Sequence, residues 1–126
     1  DRVIEIKMKM PIKKIFESYG EEYFRNLETE AIREASKNCG VVIATGGGAI
    51  LRKENIEALK QNGQIFFIDR DVEKLIPTRS RPTALNKEAI LKRYEERYEI
   101  YKATSDVIIK NNSTSKEAAD KILEVF

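Results

Sequence analysis

Residues 41–55 read VVIATGGGAILRKEN, and they decide how the chain is interpreted. A short apolar run at residues 41–44 is followed by three glycines, Gly46, Gly47 and Gly48, and then by a helical pattern. A continuous apolar run of this length is typical of a buried parallel strand. Glycine loses more backbone freedom on folding than any other residue. A run of three therefore indicates that something lies too close to this backbone for a side chain.

The rest of the chain alternates helical patterns with short apolar runs. Apolar residues at helical spacing predict helices over residues 1–9, 12–18, 21–38, 53–62 and 87–103. Continuous apolar runs predict buried strands at residues 41–44, 64–68 and 106–109. A capping box of Thr114 and Glu117 opens a last helix. Strands separated by helices predict an α/β protein in three layers, with a parallel sheet flanked by helices. No linker is found in the sequence, so we expect a single domain over residues 1–126.

The composition fits a globular protein and argues against several functional classes. Among 126 residues, 23 are basic and 21 are acidic, which gives a net charge of +2. This balance offers no electrostatic footprint for nucleic acid or an anionic membrane, so we expect neither partner. The chain has no histidine, which excludes histidine triads and histidine-ligated metals, and we expect no metal ligand. The single cysteine excludes an internal disulfide. We expect a cytoplasmic monomer.

The glycine run does not match a phosphate-binding loop. That loop needs the spacing GxxxxGK[ST], whose backbone N–H groups and lysine hold the phosphates, and none of the six glycines fits it. The run does leave the carboxyl end of a predicted strand, where open α/β sheets bind their ligands. Two interpretations follow: the glycine N–H groups approach an organic ligand edge-on, or the run is only a tight turn from strand to helix.

Two arginines lie at the edges of apolar helix faces. Arg97 falls about 20° outside the apolar stripe of its helix. Arg25 also flanks an apolar stripe, near a helix N-terminus where the helix dipole disfavours a cation. Each arginine alone fits a surface ion pair, with Glu28 and Glu96 as available partners. Together they indicate a planar, bidentate site for a carboxylate.

A third signal is PTRSRPT, residues 77–83, in which Arg79 and Arg81 stand between prolines. The polar stretch of residues 76–86 cannot form a core. It is either an ordinary exposed loop or a mobile lid that carries an arginine onto transferring phosphates.

Taken together, these motifs resemble the shikimate kinase family. The matching segments, in chain order, are DRVIE, IFESYGEEYFRNLE, VVIATGGGAI, RPTAL and RYEIY. They cover nearly the whole chain, and the pairing of GEEYFRNLE with TGGGA is specific. The resemblance implies a P-loop kinase fold of the nucleoside-monophosphate-kinase type. It also implies transfer of the γ-phosphoryl group of ATP, with Mg²⁺, to the 3-hydroxyl of shikimate in aromatic amino-acid biosynthesis.

The resemblance also implies a role for each candidate residue. Asp1 matches the aspartate that contacts the shikimate hydroxyls and acts as, or assists, the catalytic base. Arg25 and Arg97 match the arginines that hold the shikimate carboxylate, with Glu28 orienting Arg25. Arg81 matches a catalytic lid arginine that contacts the nucleotide phosphates. The implied substrate-binding set is Asp1, Arg25, Gly46, Gly47, Gly48 and Arg97.

The chain departs from the family pattern at its start. The strand–GxxxxGK[ST]–helix unit of roughly 30 residues is not found, and the chain begins at the second aspartate of the family's D-x-D. That unit would carry the phosphate cradle and most of the ATP and Mg²⁺ site. We therefore expect an N-terminally truncated domain that keeps its shikimate residues and lacks turnover. The alternatives are a non-catalytic sugar-acid-binding domain on the same fold and a kinase for a related polyol acid such as gluconate.

Overall fold

The computed structural model describes residues 1–71 and 87–126, with Lys87 described by its backbone alone. The chain divides into two compact units, Asp1–Gly63 and Gln64–Phe126, and each is described by itself. The predicted lid at residues 76–86, which includes Arg81, lies outside the described residues. The single-domain organisation and the lid both stay predictions.

The first unit contains four α-helices and a glycine-rich turn within the described residues. They are α1 (Arg2–Met8), α2 (Ile12–Tyr19), α3 (Glu21–Ala35), a 3₁₀ turn (Gly47–Leu51) and α4 (Lys53–Gln61). These helices confirm the ones predicted from apolar spacing. Helix α3 ends three residues before the predicted residue 38. The reason is that the N–H groups of Lys37 and Asn38 bond to carbonyls three residues back, which tightens the last turn and ends the helix.

The first three helices share one apolar core. Its buried members are Ile4, Ile12, Ile15 and Phe24, and Ile15 has no exposed surface. Burying a side chain of this size stabilises a fold by about 1.5–3 kcal/mol. Because Phe24 is anchored in this core, the position of the next residue, Arg25, is fixed with it.

The strand predicted at residues 41–44 is not formed among the described residues. The side chain of Val42 is 98% exposed, and Val41 is 54% exposed. No described residue forms a backbone hydrogen-bond ladder with this segment. A strand exists only through such a ladder with a neighbour, and an apolar run cannot supply the neighbour by itself. The prediction of three strands is therefore wrong, and the described sheet has two.

The second unit holds that two-stranded parallel sheet. Its described elements are β1 (Phe66–Asp69), α5 (Lys87–Thr104), β2 (Val107–Lys110) and α6 (Ser115–Val125). The strands run parallel, from Phe66 opposite Val107 to Asp69 opposite Lys110. Both strands lie one or two residues further along the chain than predicted. The parallel pairing of strands separated by a helix confirms the α/β class.

Helix α5 packs its aromatic face on β1. The ring centroid of Phe67 lies 4.9 Å from that of Tyr101 and 6.0 Å from that of Tyr98. Tyr94 stacks on Tyr98 with ring centroids 5.2 Å apart. These contacts confirm the tyrosines of the apolar stripe predicted for this helix, whereas Leu91, which that stripe also includes, is 43% exposed. No helix of the described ranges is long and apolar enough to cross a membrane.

Candidate functional site

The glycine run folds into a tight turn for which its backbone angles do not require glycine. The Ala49 N–H donates to the Gly46 carbonyl at 3.2 Å, which opens the 3₁₀ turn. Gly46 has φ −69°, and none of the three glycines has a positive φ. Any residue can adopt such angles. The reason for three glycines must therefore lie in what surrounds them.

Charged side chains surround this turn. A Cβ on Gly48 would overlap the guanidinium group of Arg25. A Cβ on Gly46 would stand 3.2 Å from Oδ1 of Asp1 and 3.3 Å from Oε2 of Glu28, closer than ordinary van der Waals contact. Asp1, Arg25 and Glu28 thus converge on the glycine turn. We call these three side chains with Gly46 and Gly48 the glycine-turn cluster.

Arg25 is a partly buried cation held by two carboxylates. Its Nη1 donates to Oε1 of Glu28 at 3.0 Å, and its Nη2 donates to Oε1 of Glu21 at 3.2 Å. The side chains of Arg25 and Glu28 are only 12% and 6% exposed. The Nε–H of Arg25 is buried and has no partner among the described residues. A guanidinium carries five N–H donors, so donors remain for an anionic ligand.

Asp1 brings a second kind of group to the cluster. It occupies the N-cap position of α1, but its side chain makes no capping hydrogen bond there. The carboxylate instead lies beside Gly46 and is exposed. An exposed carboxylate that no helix end uses can accept hydrogen bonds from the hydroxyl groups of a ligand.

The remaining predicted site residues are not placed in the cluster. Arg97 lies on α5 in the other unit, where it is half-buried. No hydrogen bond or ion pair joins it to another described residue, and Glu96 is not its partner. Its pairing with Arg25 stays a prediction. Arg81 lies outside the described residues.

Sequence reasoning missed Glu21 and a group of polar residues at the carboxyl ends of the two strands. Asp69 is buried, and its Oδ1 accepts from the Tyr94 hydroxyl at 3.1 Å. Lys110 bonds Asp69 at 3.3 Å and Asp71 at 2.9 Å. The spacing of Glu21 four residues before Arg25 could have revealed that pair. The strand-end group could not be found without the register of β1 and β2.

This strand-end network shifts the pKa values of two of its members. Burial, and then the hydrogen bond to Asp69, raise the pKa of Tyr94 above its ordinary value. The hydrogen bond to Asp71 is the main cause that raises the pKa of Lys110, and the bond to Asp69 adds to it. The raised pKa values mean that Tyr94 and Lys110 both keep their protons at neutral pH.

Comparison with known proteins identifies the family. A family model described as shikimate kinase matches residues 1–126. The chain belongs to the shikimate kinase family. A shikimate kinase of Clostridium botulinum (strain Eklund 17B / Type B) is 45% identical to it, over 100% of this chain and 78% of that protein. A shikimate kinase of Dictyoglomus turgidum is 34% identical, over 98% of this chain and 78% of that protein. The resemblance inferred from the motifs is confirmed.

Solved structures of shikimate kinases share the fold. The enzyme from Acinetobacter baumannii, solved in complex with shikimate, matches with a TM-score of 0.92 and 31% identity, over 99% of this chain and 74% of that chain. The enzyme from Aquifex aeolicus matches with a TM-score of 0.82 and 32% identity, over 98% and 76% of the two chains. The predicted P-loop kinase type of fold is confirmed.

Shikimate kinases are ATP-dependent enzymes that use Mg²⁺. No three Asp, Glu, Cys or His side chains within residues 1–71 and 87–126 converge where a metal ion could bind. None of the 126 residues belongs to a GxxxxGK[ST] motif.

Proposed function

We propose that the glycine-turn cluster binds shikimate and presents its 3-hydroxyl to the γ-phosphoryl group of ATP. The observation that carries this proposal is the state of Arg25. Its side chain is 12% exposed, and its guanidinium rests against Gly48 and is held by Glu21 and Glu28. It still has N–H donors to offer.

The held guanidinium favours a carboxylate ligand. The planar fork of arginine donates two parallel hydrogen bonds to a carboxylate, and such charge-assisted bonds are roughly twice as strong as neutral ones. Since Glu21 and Glu28 fix the fork before a ligand arrives, little side-chain freedom is lost on binding. Arg97 is the proposed second donor to that carboxylate. It is half-buried and has no ion pair with any described residue.

Asp1 and the glycine turn favour a hydroxylated ring. The Asp1 carboxylate lies beside Gly46 and accepts hydrogen bonds from ligand hydroxyls in this proposal. It holds the 3-hydroxyl and acts as, or assists, the base that takes its proton. The N–H groups of Gly46, Gly47 and Gly48 line the ring. Phosphoryl transfer depends mainly on positioning and on charge stabilisation, and Arg81 is the proposed source of positive charge at the phosphates.

A coupled assay on the full-length gene product tests this function. ADP formation is followed with shikimate and, separately, with gluconate as the acceptor. We expect turnover with shikimate. Turnover with gluconate alone would contradict the proposal, and saturable shikimate binding without ADP formation would favour a non-catalytic sugar-acid-binding domain.

For residues 1–126 expressed alone, we propose shikimate binding without turnover, because they include no phosphate-binding loop.

A further inference from the structure

Asn55 is a buried polar residue that the proposed function does not yet use. It lies in the first turn of α4, and only 1% of its surface is exposed. Its Nδ2 donates to the Ala49 carbonyl at 3.0 Å. Its Oδ1 is buried and has no partner among the described residues. The amide can face only one way, because its oxygen in place of Nδ2 would repel the Ala49 carbonyl oxygen.

The carbonyl group that accepts this bond belongs to Ala49, the residue directly after the glycine run. The Ala49 N–H bonds to the Gly46 carbonyl at 3.2 Å, and Ala49 is 1% exposed. The preceding residue, Gly48, rests against the Arg25 guanidinium. The bond from Asn55 therefore fixes the turn at a point next to its contact with Arg25. A small displacement of Ala49 would move Gly48 away from the guanidinium or into it.

We propose that Asn55 is a positioning residue for the shikimate carboxylate, acting through Ala49 and Gly48 on Arg25. The inference rests on the proposed shikimate function. A buried amide whose oxygen has no partner is costly to keep. An apolar side chain of similar size would avoid that cost. The amide supplies the hydrogen bond from Nδ2 to the Ala49 carbonyl, and an apolar side chain could not make that bond.

The same helix offers a matched control. Asn62 is the C-cap residue of α4, and its Nδ2 donates to the Ser36 carbonyl at 3.2 Å. The bond has the same chemistry as that of Asn55. It ties the other end of α4 to the end of α3, whereas Arg25 lies in the first half of α3. Loss of this bond weakens the packing of α4 without touching the glycine turn.

The experiment compares Asn55→Leu and Asn55→Asp with Asn62→Leu in the full-length gene product. Shikimate affinity is measured by titration calorimetry, the KM values for shikimate and ATP by the coupled assay, and stability by thermal unfolding. We expect both Asn55 variants to weaken shikimate binding by about tenfold or more, the loss of one charge-assisted contact. The shikimate KM should rise and the ATP KM should stay unchanged. Asn62→Leu should lower the Tm and leave shikimate affinity at the wild-type value.

Two results of the variant comparison would overturn the inference. One is wild-type shikimate affinity in the Asn55 variants, and the other is an equal loss of affinity in Asn62→Leu. A nuclear magnetic resonance measurement on the unaltered protein does not depend on any variant folding. The side-chain amide signals of Asn55 should shift when shikimate is added, and those of Asn62 should not. If the unaltered protein binds shikimate and the Asn55 signals do not shift, the inference is refuted and the proposed function stands. If the unaltered protein does not bind shikimate, both the inference and the proposed function are refuted.

Discussion

At the scale of single residues, side chains of the protein explain two glycines of the run, Gly46 and Gly48. The sequence raised the question of what lies too close to this backbone for a Cβ. The nearest groups are the Arg25 guanidinium at Gly48 and the Asp1 and Glu28 carboxylates at Gly46. The turn thus makes room for the residues proposed to bind the ligand. The two positions differ in how much their neighbours can yield.

Gly48→Ala should damage shikimate binding more than Gly46→Ala. At Gly48 the new methyl group overlaps a guanidinium that Glu21 and Glu28 hold in place, so Arg25 must leave its bonds. At Gly46 it meets the ends of two carboxylate side chains at 3.2 and 3.3 Å, and these can move by a few tenths of an ångström. Losing a hydrogen bond to a charged group costs about 1.5–3 kcal/mol. Calorimetric titration of both variants with shikimate checks the order, and equal affinities would contradict it.

Arg25→Lys should weaken shikimate binding although it keeps the charge. Lysine lacks the planar fork and cannot bond two carboxylates and a ligand in one plane. We expect a loss of roughly 1.5–3 kcal/mol in binding free energy, or about 10- to 150-fold in Kd. The control is Arg33→Lys on the same helix, since Arg33 is exposed and pairs with Glu54 at 3.0 Å. Titrations of both variants with shikimate check this, and similar Kd values for the two would argue against a carboxylate fork at Arg25.

At the scale of helices and strands, the sequence predicted helices better than strands. Helix α2 and its neighbours follow from apolar spacing, which is local information, and their bounds agree within a few residues. The apolar run at residues 41–44 had the composition of a buried strand, yet it is exposed and unpaired among the described residues. Pairing depends on a distant segment, and composition does not reveal it. The strand-end network of Asp69 and Lys110 was missed for the same reason.

The sequence also anticipated part of the arrangement around the glycine turn. Motif resemblance identified Arg25 and Asp1, and the structure places both at the glycine turn. It did not identify Asn55, because an asparagine in the first turn of a helix has many ordinary roles. Its burial and its bond to Ala49 become visible only once α4 is packed against the turn.

The cap of α6 allows an independent test at this scale. The Thr114 Oγ1 accepts from the Glu117 N–H at 3.2 Å, which confirms this half of the predicted capping box. Thr114→Ala should lower the free energy of unfolding by about 1 kcal/mol because the N–H loses its partner. Thr114→Ser should retain most of that stability, and Ser115→Ala serves as the control inside the helix. Urea unfolding measures all three, and an unchanged midpoint for Thr114→Ala would show that the cap contributes nothing.

At the scale of the whole molecule, the raised pKa values of Tyr94 and Lys110 predict how stability changes at alkaline pH. The chain has no histidine, which removes the side chain that ordinarily titrates near neutral pH. Tyr94 and Lys110 have folded-state pKa values raised above their ordinary values of 10.0 and 10.5. For both, the folded state holds its proton more tightly than the unfolded state. The contribution of each group to the free energy of unfolding is fully present at pH values below its pKa in the unfolded state. It is lost as the pH rises through its pKa in the folded state.

Stability should therefore be flat around neutral pH and fall above about pH 10. Tyr94→Phe removes one titrating group and its bond to Asp69, so it should lower stability at neutral pH and make the alkaline fall shallower. Tyr19→Phe is the control, since Tyr19 is exposed and stacks only on Tyr23 among the described aromatic rings. Urea unfolding at a series of pH values provides the curves. An alkaline fall as steep in Tyr94→Phe as in the unaltered protein would exclude Tyr94 as its source.

Shikimate binding in the absence of nucleotide tests the central claim most directly. The measurement is a calorimetric titration of the full-length gene product with shikimate, repeated with gluconate. The account predicts saturable binding of one shikimate per chain, weaker or no binding of gluconate, and loss of the shikimate signal in Arg25→Ala. Saturable shikimate binding that survives in Arg25→Ala, or binding of gluconate in preference to shikimate, would contradict it.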